Sequence, residues 1–458
     1  MHDADAHPFA DLDRAAVGRS LSQIADRPGD FADAWFERLE EVELPPEGAQ
    51  SNGPGLNVRR EEGLAVRLVR DADVWHAARD AIGPQELADA LRHTARALPA
   101  AHYPAPGFVP PPWPRPAAAP EVLELPVAVQ RAIRRRRAAF PLALTVRRHR
   151  RWIQVVGSGK LVAEPQSESF YSAVADTPFG RAGVLFPDLG DGDAVAERFA
   201  DLLVERFRAR DAAPPGRCCG AVVLAPAAAA VLLHEAVAHA LEADLLALGG
   251  DPEEAAGLRL GGAVLDVLDD PSSAPEPVRR SSDDEGQPVR RRWLLRQGVV
   301  AEPLADRRWA AAAETFAAGA ARRAGRHFLP SPRSSHLELL AGEASEEELV
   351  AAADGGLLLA AADGGRLDPL TGGFELRFPC AQRISGGAAG APVGPCRLAG
   401  RVADLLAAVA AVGSRALPAG AGWCAKGGQR MAVWATAPAI LLEGVEVTPD
   451  GANGWAGG

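Results

Sequence analysis

The sequence predicts an α+β protein: an α/β N-terminal half followed by a β-rich C-terminal half. Three observations lead there. From Phe9 to about Asp211, segments with helical spacing alternate with segments of strand-like alternation. Beyond Ala212 glycine becomes frequent, and short β-like runs take over, among them "AVVLA", "AVLDVL", "GFELRF" and "MAVWATAPAILLEGVEV". One apolar helix, "LLHEAVAHALEAD" at 232–244, interrupts that half and carries two histidines.

The elements follow in order. Phe9, Leu12, Ala16, Leu21 and Ile24 recur with helical spacing. "DAWFERLEEVEL" reads as a strand or a short helix. "GLAVRLVRDADVWHAARD" reads as a hairpin, alternating at Leu64, Val66 and Leu68 and turning at Arg70 to Asp73. Pro84 opens a helix through "QELADALRHTARAL", proline being tolerated in a first turn. The segment 103–120, with "PAPGFVPPPWPRPAAAP", carries too much proline for helix or sheet interior and reads as a linker or arm. A helix to about Phe140, strands around 142 to 156 and the helix "DAVAERFADLLVERFRARD" complete the first half. The expected organisation is an α/β domain at 1–102, the arm at 103–120, a middle α/β region at 121–211 and a β-rich domain at 212–458. In the last, "LAGRVADLLAAVAAVG" reads as a second helix.

Composition excludes several functions. A chain of 458 residues is long enough for two or three domains, and its formal net charge of -11 argues against a dedicated nucleic-acid binder. The basic run "RRRRAAFPLALTVRRHRR" at 134–151 is expected to be a solvated helix face followed by a strand with one charged side. Five cysteines without a CxxC pair do not form a disulfide framework. The acidic N-terminus lacks a basic-then-apolar signal, and no run of about 20 uncharged apolar residues appears. The expectation is a soluble cytoplasmic protein without membrane partners.

The chemistry concentrates in "LLHEAVAHALEAD". On a regular α-helix residues four apart lie about 40° apart around the axis, and residues five apart about 140°. His234 and His239 are five apart, so they share one metal only if the helix is locally widened, as in a π-bulge. The competing reading is a core helix with two satisfied histidines. Glu235 weighs against it, because a carboxylate buried unpaired costs several kcal/mol. Glu242, three residues beyond His239, is placed to orient its imidazole. A catalytic zinc needs a third protein ligand. His327, His336 and Cys424 are the candidates, and the positive charge of Lys426 near Cys424 favours a thiolate.

These residues resemble the TldD/PmbA metallopeptidases, in particular their metal-motif-containing TldD-like branch. That family's HEAVGHxLExD motif is similar to "HEAVAHALEAD" at 234–244, and its C-x-K-x-G-Q motif to "CAKGGQ" at 424–429. "DDEG" at 283–286, "SPRSSHLELLAG" at 331–342 and "GGRLDPLTGGFEL" at 364–376 are similar to further family segments. The resemblance covers about 215 to 450 closely and the N-terminal half loosely. It departs at Ala238, where the family has glycine, and at His336, where asparagine is usual.

The resemblance implies one zinc ion per chain, held by His234, His239 and Cys424, with Glu235 as general base and acid. It implies hydrolysis of peptides or unfolded protein segments inside a chamber enclosed by a homodimer, or by a heterodimer with a PmbA-like subunit. Asp283, Asp284 and Glu285 are expected to contact substrate, with a charged hairpin approach as the competing reading. The alternative function is a non-catalytic peptide-binding scaffold subunit of the same type of complex.

Overall fold

The computed structural model describes residues 7–46, 55–70, 73–95, 120–159, 161–187, 192–313, 316–418 and 422–450. The proline-rich arm expected at 103–120 lies outside them except for Pro120, where a helix begins. The architecture is mixed α+β.

The N-terminal half is built on one six-stranded sheet, antiparallel throughout. Its strands are β1 (Phe31–Leu44), β2 (Asn57–Arg70), β3 (Asp73–Arg79), β4 (Ala143–Gly157), β5 (Gln166–Thr177) and β6 (Gly180–Phe186), in the order β3-β2-β1-β4-β5-β6. "DAWFERLEEVEL" is thus a strand, and the 64–75 hairpin forms with Leu68 opposite Trp75.

Strand alternation assigns the two faces. Ala32, Ala34, Phe36, Leu64, Val66, Leu68 and Trp152 turn toward α1 (Arg14–Ile24) and α2 (Pro84–Thr94). Further along that face, Val42, Val146, Ala173 and Ala175 pack on α3 (Pro120–Arg135) and α4 (Gly192–Ala209). The opposite face carries Trp35, Ile153 and Val155 together with Asp33, Glu37, Arg67 and Arg151. This face meets the C-terminal half. Arg67 pairs with Glu285 at 2.6 Å, and the Arg323 guanidinium stacks over Trp35 at 4.3 Å.

The basic run finds its carboxylate partners within this half. Glu43 of β1 pairs with Arg147, and Glu37 with Arg151 at 2.7 Å. Arg135 and Arg136, at the end of α3, pair with Glu197 of α4.

The C-terminal half holds two larger sheets. A nine-stranded sheet contains β7 (Cys218–Leu224), with the strand Gly364–Asp368 at one edge. A seven-stranded sheet contains Val267–Asp269, His336–Leu339 and Gln429–Ala437. Leu224 and Leu357 of the first sheet, Val267 and Leu337 of the second, and Ala229, Leu233 and Val237 of the histidine-bearing helix share one apolar cluster. The helix is therefore clamped between the sheets.

One expected helix is much shorter than its apolar pattern. "LAGRVADLLAAVAAVG" yields a helix only over Val402–Ala407. Val409–Val412 instead pair with Ile440–Pro449 as a strand. A short apolar run satisfies either period, and here an available strand partner decides. Among the described residues no helix is long and apolar enough to cross a membrane.

Candidate metal centre

The site is organised by a defect in a helix. Pro226 opens α5 (Pro226–Leu232), which continues without a break into a π-helical turn, Leu233–Ala238, and then a 3-10 turn, His239–Leu241. In the π turn the amide of His239 donates to the carbonyl of His234, five residues back. The wider turn brings both imidazoles to one side, with ring centroids 4.5 Å apart. The widening that the five-residue spacing demands is therefore present.

Cys424 reaches the same point from the hairpin Gly422–Lys426 and Gln429–Ala437. "KGGQ" closes it as a two-residue turn, with Lys426 opposite Gln429 and positive φ at Gly427 (58°) and Gly428 (73°). Such a turn requires two left-handed residues, which glycine supplies without strain. Ligand atoms of His234, His239 and Cys424 lie within 4.8 Å of one another, and all three residues are buried. The other imidazoles are engaged elsewhere. His327 is exposed and bonds Asp80, whereas His336 is buried against Ser273 and Thr436.

The donor set fits a metal ion. Both ring nitrogens of His234 are buried, and among the described residues neither makes a hydrogen bond, an arrangement that costs free energy unless something else binds them. His239 Nδ1 is held by Glu242 Oε2 at 2.8 Å, and its Nε2 faces Cys424 Sγ at 3.4 Å. In a tetrahedral zinc site neighbouring ligand atoms lie about 3.3 to 3.6 Å apart, given Zn–N near 2.0 Å and Zn–S near 2.3 Å. Burial alone would raise the Cys424 thiol, but the adjacent His234 and His239 imidazoles bring it down to about 6. Burial would likewise raise Glu242, yet His239 and Lys426 hold it at about 2. Lys426 Nζ donates to Glu242 and to both oxygens of Asp244 at 3.0 Å, and to the Pro332 carbonyl at 2.7 Å. Glu242 thus fixes His239, and Lys426 fixes Glu242.

Glu235 is half-buried, and among the described residues its carboxylate has no hydrogen bond or ion pair. It lies against Gly365 of the edge strand. Two contributors escaped the sequence reading. One is that glycine. The other is Arg333, whose Nη1 donates to Cys424 Sγ at 3.1 Å. They lie within 364–376 and 331–342, where composition alone does not set them apart from their neighbours.

Asp283, Asp284 and Glu285 are all buried and are not members of the three-ligand cluster. Asp283 accepts the amides of Glu285, Gln287 and Ala321. Asp284 is paired with Arg280 and accepts the Arg323 amide at 2.7 Å. Glu285 takes Arg67 from the N-terminal sheet and the amide of Arg307, each at 2.6 Å.

The fold and site define a class: a two-half α+β protein with a His-His-Cys metal centre on a π-widened helix. The family model of the PmbA/TldA metallopeptidase C-terminal domain matches residues 215–449, and the chain belongs to that family. It is 29% identical over 285 residues to the metalloprotease TldD homolog of Haemophilus influenzae, covering 60% of this chain and 57% of that protein. It is 26% identical over 227 residues to the zinc metalloprotease TldD homolog of Saccharolobus solfataricus, covering 49% and 51% respectively. The chain thus spans about half the length of these relatives. The fold is similar to that of TldE from Thermococcus kodakarensis, with a TM-score of 0.72 at 19% identity, covering 94% of this chain and 100% of that one.

Proposed function

We propose that the protein is a zinc-dependent peptidase acting on peptides or unfolded protein segments. The convergence of His234, His239 and Cys424 on one point, with Glu235 on the same widened turn, carries this reading. A zinc ion held by these three side chains supplies a Lewis acid for a scissile carbonyl and its attacking water. The chain's own residues do the rest. Glu235, without a competing partner among the described residues, takes the proton of the attacking water and passes it to the leaving amine. Glu242 holds His239 with Nε2 toward the site. Gly364–Asp368 ends the nine-stranded sheet beside Glu235. Its open edge among the described strands suits an extended peptide, which would dock by strand addition.

In this reading Glu285 joins the two halves through Arg67, and Asp283 and Asp284 brace the C-terminal half instead of contacting substrate, because their oxygens already have partners. The working unit is a homodimer, or a heterodimer with a PmbA-like subunit, enclosing the site. A scaffold subunit has no need of all four residues His234, Glu235, His239 and Cys424.

Metal analysis and peptide cleavage test the proposal together. Wild-type protein is expected to carry near one zinc per chain. Glu235→Ala should keep the metal and lose cleavage by on the order of 10²-fold or more, and Cys424→Ala should lose the metal. Full zinc retention by Cys424→Ala would remove the proposed third ligand, and undiminished cleavage by Glu235→Ala would remove the proposed base.

A further inference from the structure

Arg333 is among the most deeply buried large side chains of the molecule, 1% exposed. Among the described residues no carboxylate lies within ion-pairing distance of its guanidinium, and its Nε has no partner. A buried cation normally sits beside an anion, since removing it from water unpaired is strongly unfavourable. The groups Arg333 does reach are the Cys424 sulfur, at 3.1 Å from Nη1, and the Lys426 carbonyl, bonded to Nη2. The two bonds grip the hairpin at alternate residues, one on the candidate ligand and one at the turn that presents it. The Arg333 backbone is itself fixed, its amide donating to the Ala320 carbonyl at 2.9 Å.

We propose that Arg333 is the counter-cation of the Cys424 thiolate, a positioning residue that aims the sulfur at the metal and draws electron density from it. The inference rests on the metal-site reading above. A hydrogen bond to a thiolate lowers the energy of the sulfur lone pair that a metal receives. A bare thiolate among the ligands would weaken the electrophilic character of the centre. The guanidinium offsets this without touching substrate or metal.

Cobalt(II) substitution tests this by a signal that only the sulfur–metal bond produces. Wild-type protein loaded with cobalt should show a thiolate-to-cobalt charge-transfer band in the near ultraviolet. In Arg333→Gln the band should move to lower energy, because the sulfur lone pair is no longer stabilised. Zinc affinity and the cleavage rate should each fall about 10- to 100-fold, the usual cost of removing a partner that orients a ligand. Arg333→Lys keeps the buried charge but loses the two-pronged grip, so its band should shift less in the same direction. It carries the test if the glutamine variant does not fold. Metal content near one with an unmoved band in the folded variants overturns the proposal and leaves the metal site standing. Absence of the band in the wild type overturns the site reading, and this proposal with it.

Discussion

A methyl group added at Gly365 would lie 2.6 Å from Cγ of Glu235, 2.5 Å from Cδ2 of Leu376 and 3.1 Å from the Glu375 carbonyl oxygen. Glycine at this position therefore seats the proposed general base. Gly365→Ala is expected to retain metal and lower kcat about tenfold or more with little change in KM, since misplacement of a reacting group by about 1 Å is costly. Overpacking should also lower stability by about 1 to 3 kcal/mol. Steady-state kinetics and a thermal melt separate the two effects, and unchanged kcat would show that Glu235 does not depend on this space. At this scale the His-Glu-His residues were legible because they form one local pattern, and Cys424 became legible through the family motif around it. Gly365 and Arg333 were not. A glycine's missing methyl and an arginine's missing carboxylate acquire meaning only once packing places their neighbours.

The π turn and the glycine turn are the two elements that set the site's geometry. The first was legible in advance, because five-residue spacing on a regular helix separates the histidines and only a widened turn reunites them. The second carries left-handed conformations at Gly427 and Gly428. An L-residue there costs roughly 1 to 2 kcal/mol. Gly427→Ala should therefore destabilise the protein by about that amount and weaken metal binding, whereas Gly427→Asn should be nearly neutral, asparagine being favoured at this turn position. Competition with a chromogenic chelator measures the difference, and equal affinity for both variants would deny the turn any role in presenting Cys424. The element that departs from its pattern is the helix expected over 398–413. Its sequence satisfied a helical period, but the strand Ile440–Pro449 captures Val409–Val412. Such pairing depends on residues far away in the chain.

At the scale of the molecule, the charged side of the N-terminal sheet is an internal joint. Asp33, Glu37, Arg67 and Arg151 face Glu285, Arg323 and Arg326 of the other half, all of them buried. Removing one partner of a buried pair costs about 3 to 5 kcal/mol. Glu285→Ala should therefore lower stability by that order while zinc content stays near one. A normal melt with a raised KM would instead restore the expected substrate contact. Asp306 gives this joint a pH dependence. Burial, reinforced by the charge of Glu285, pushes its carboxyl up to about 7. Its folded pKa thus exceeds its unfolded value near 4. Folding takes up a proton between those values, so this contribution is full below about pH 4 and is lost as pH rises through about 7. Asp306 also caps the helix Arg307–Ala312 through the Trp309 amide, a role asparagine can fill. Asp306→Asn should flatten the fall in melting temperature between pH 5 and 8, and an identical slope in the variant would exclude Asp306 as its source. The alternation of β2 was readable and β1 stood open between strand and helix, but nothing local showed that their polar side would be buried. A charged strand face ordinarily signals solvent.

His239 and Cys424 are 185 residues apart in the chain. A metal bridging them is therefore a covalent-like staple that closes a very long loop, and the longer the loop, the more disorder such a closure removes from the unfolded chain. Because a preformed site rarely exists in an unfolded chain, the binding energy becomes folding energy. An ion bound there would thus tie the Cys424 hairpin to the histidine helix, and its loss would loosen the scaffold together with the proposed reaction.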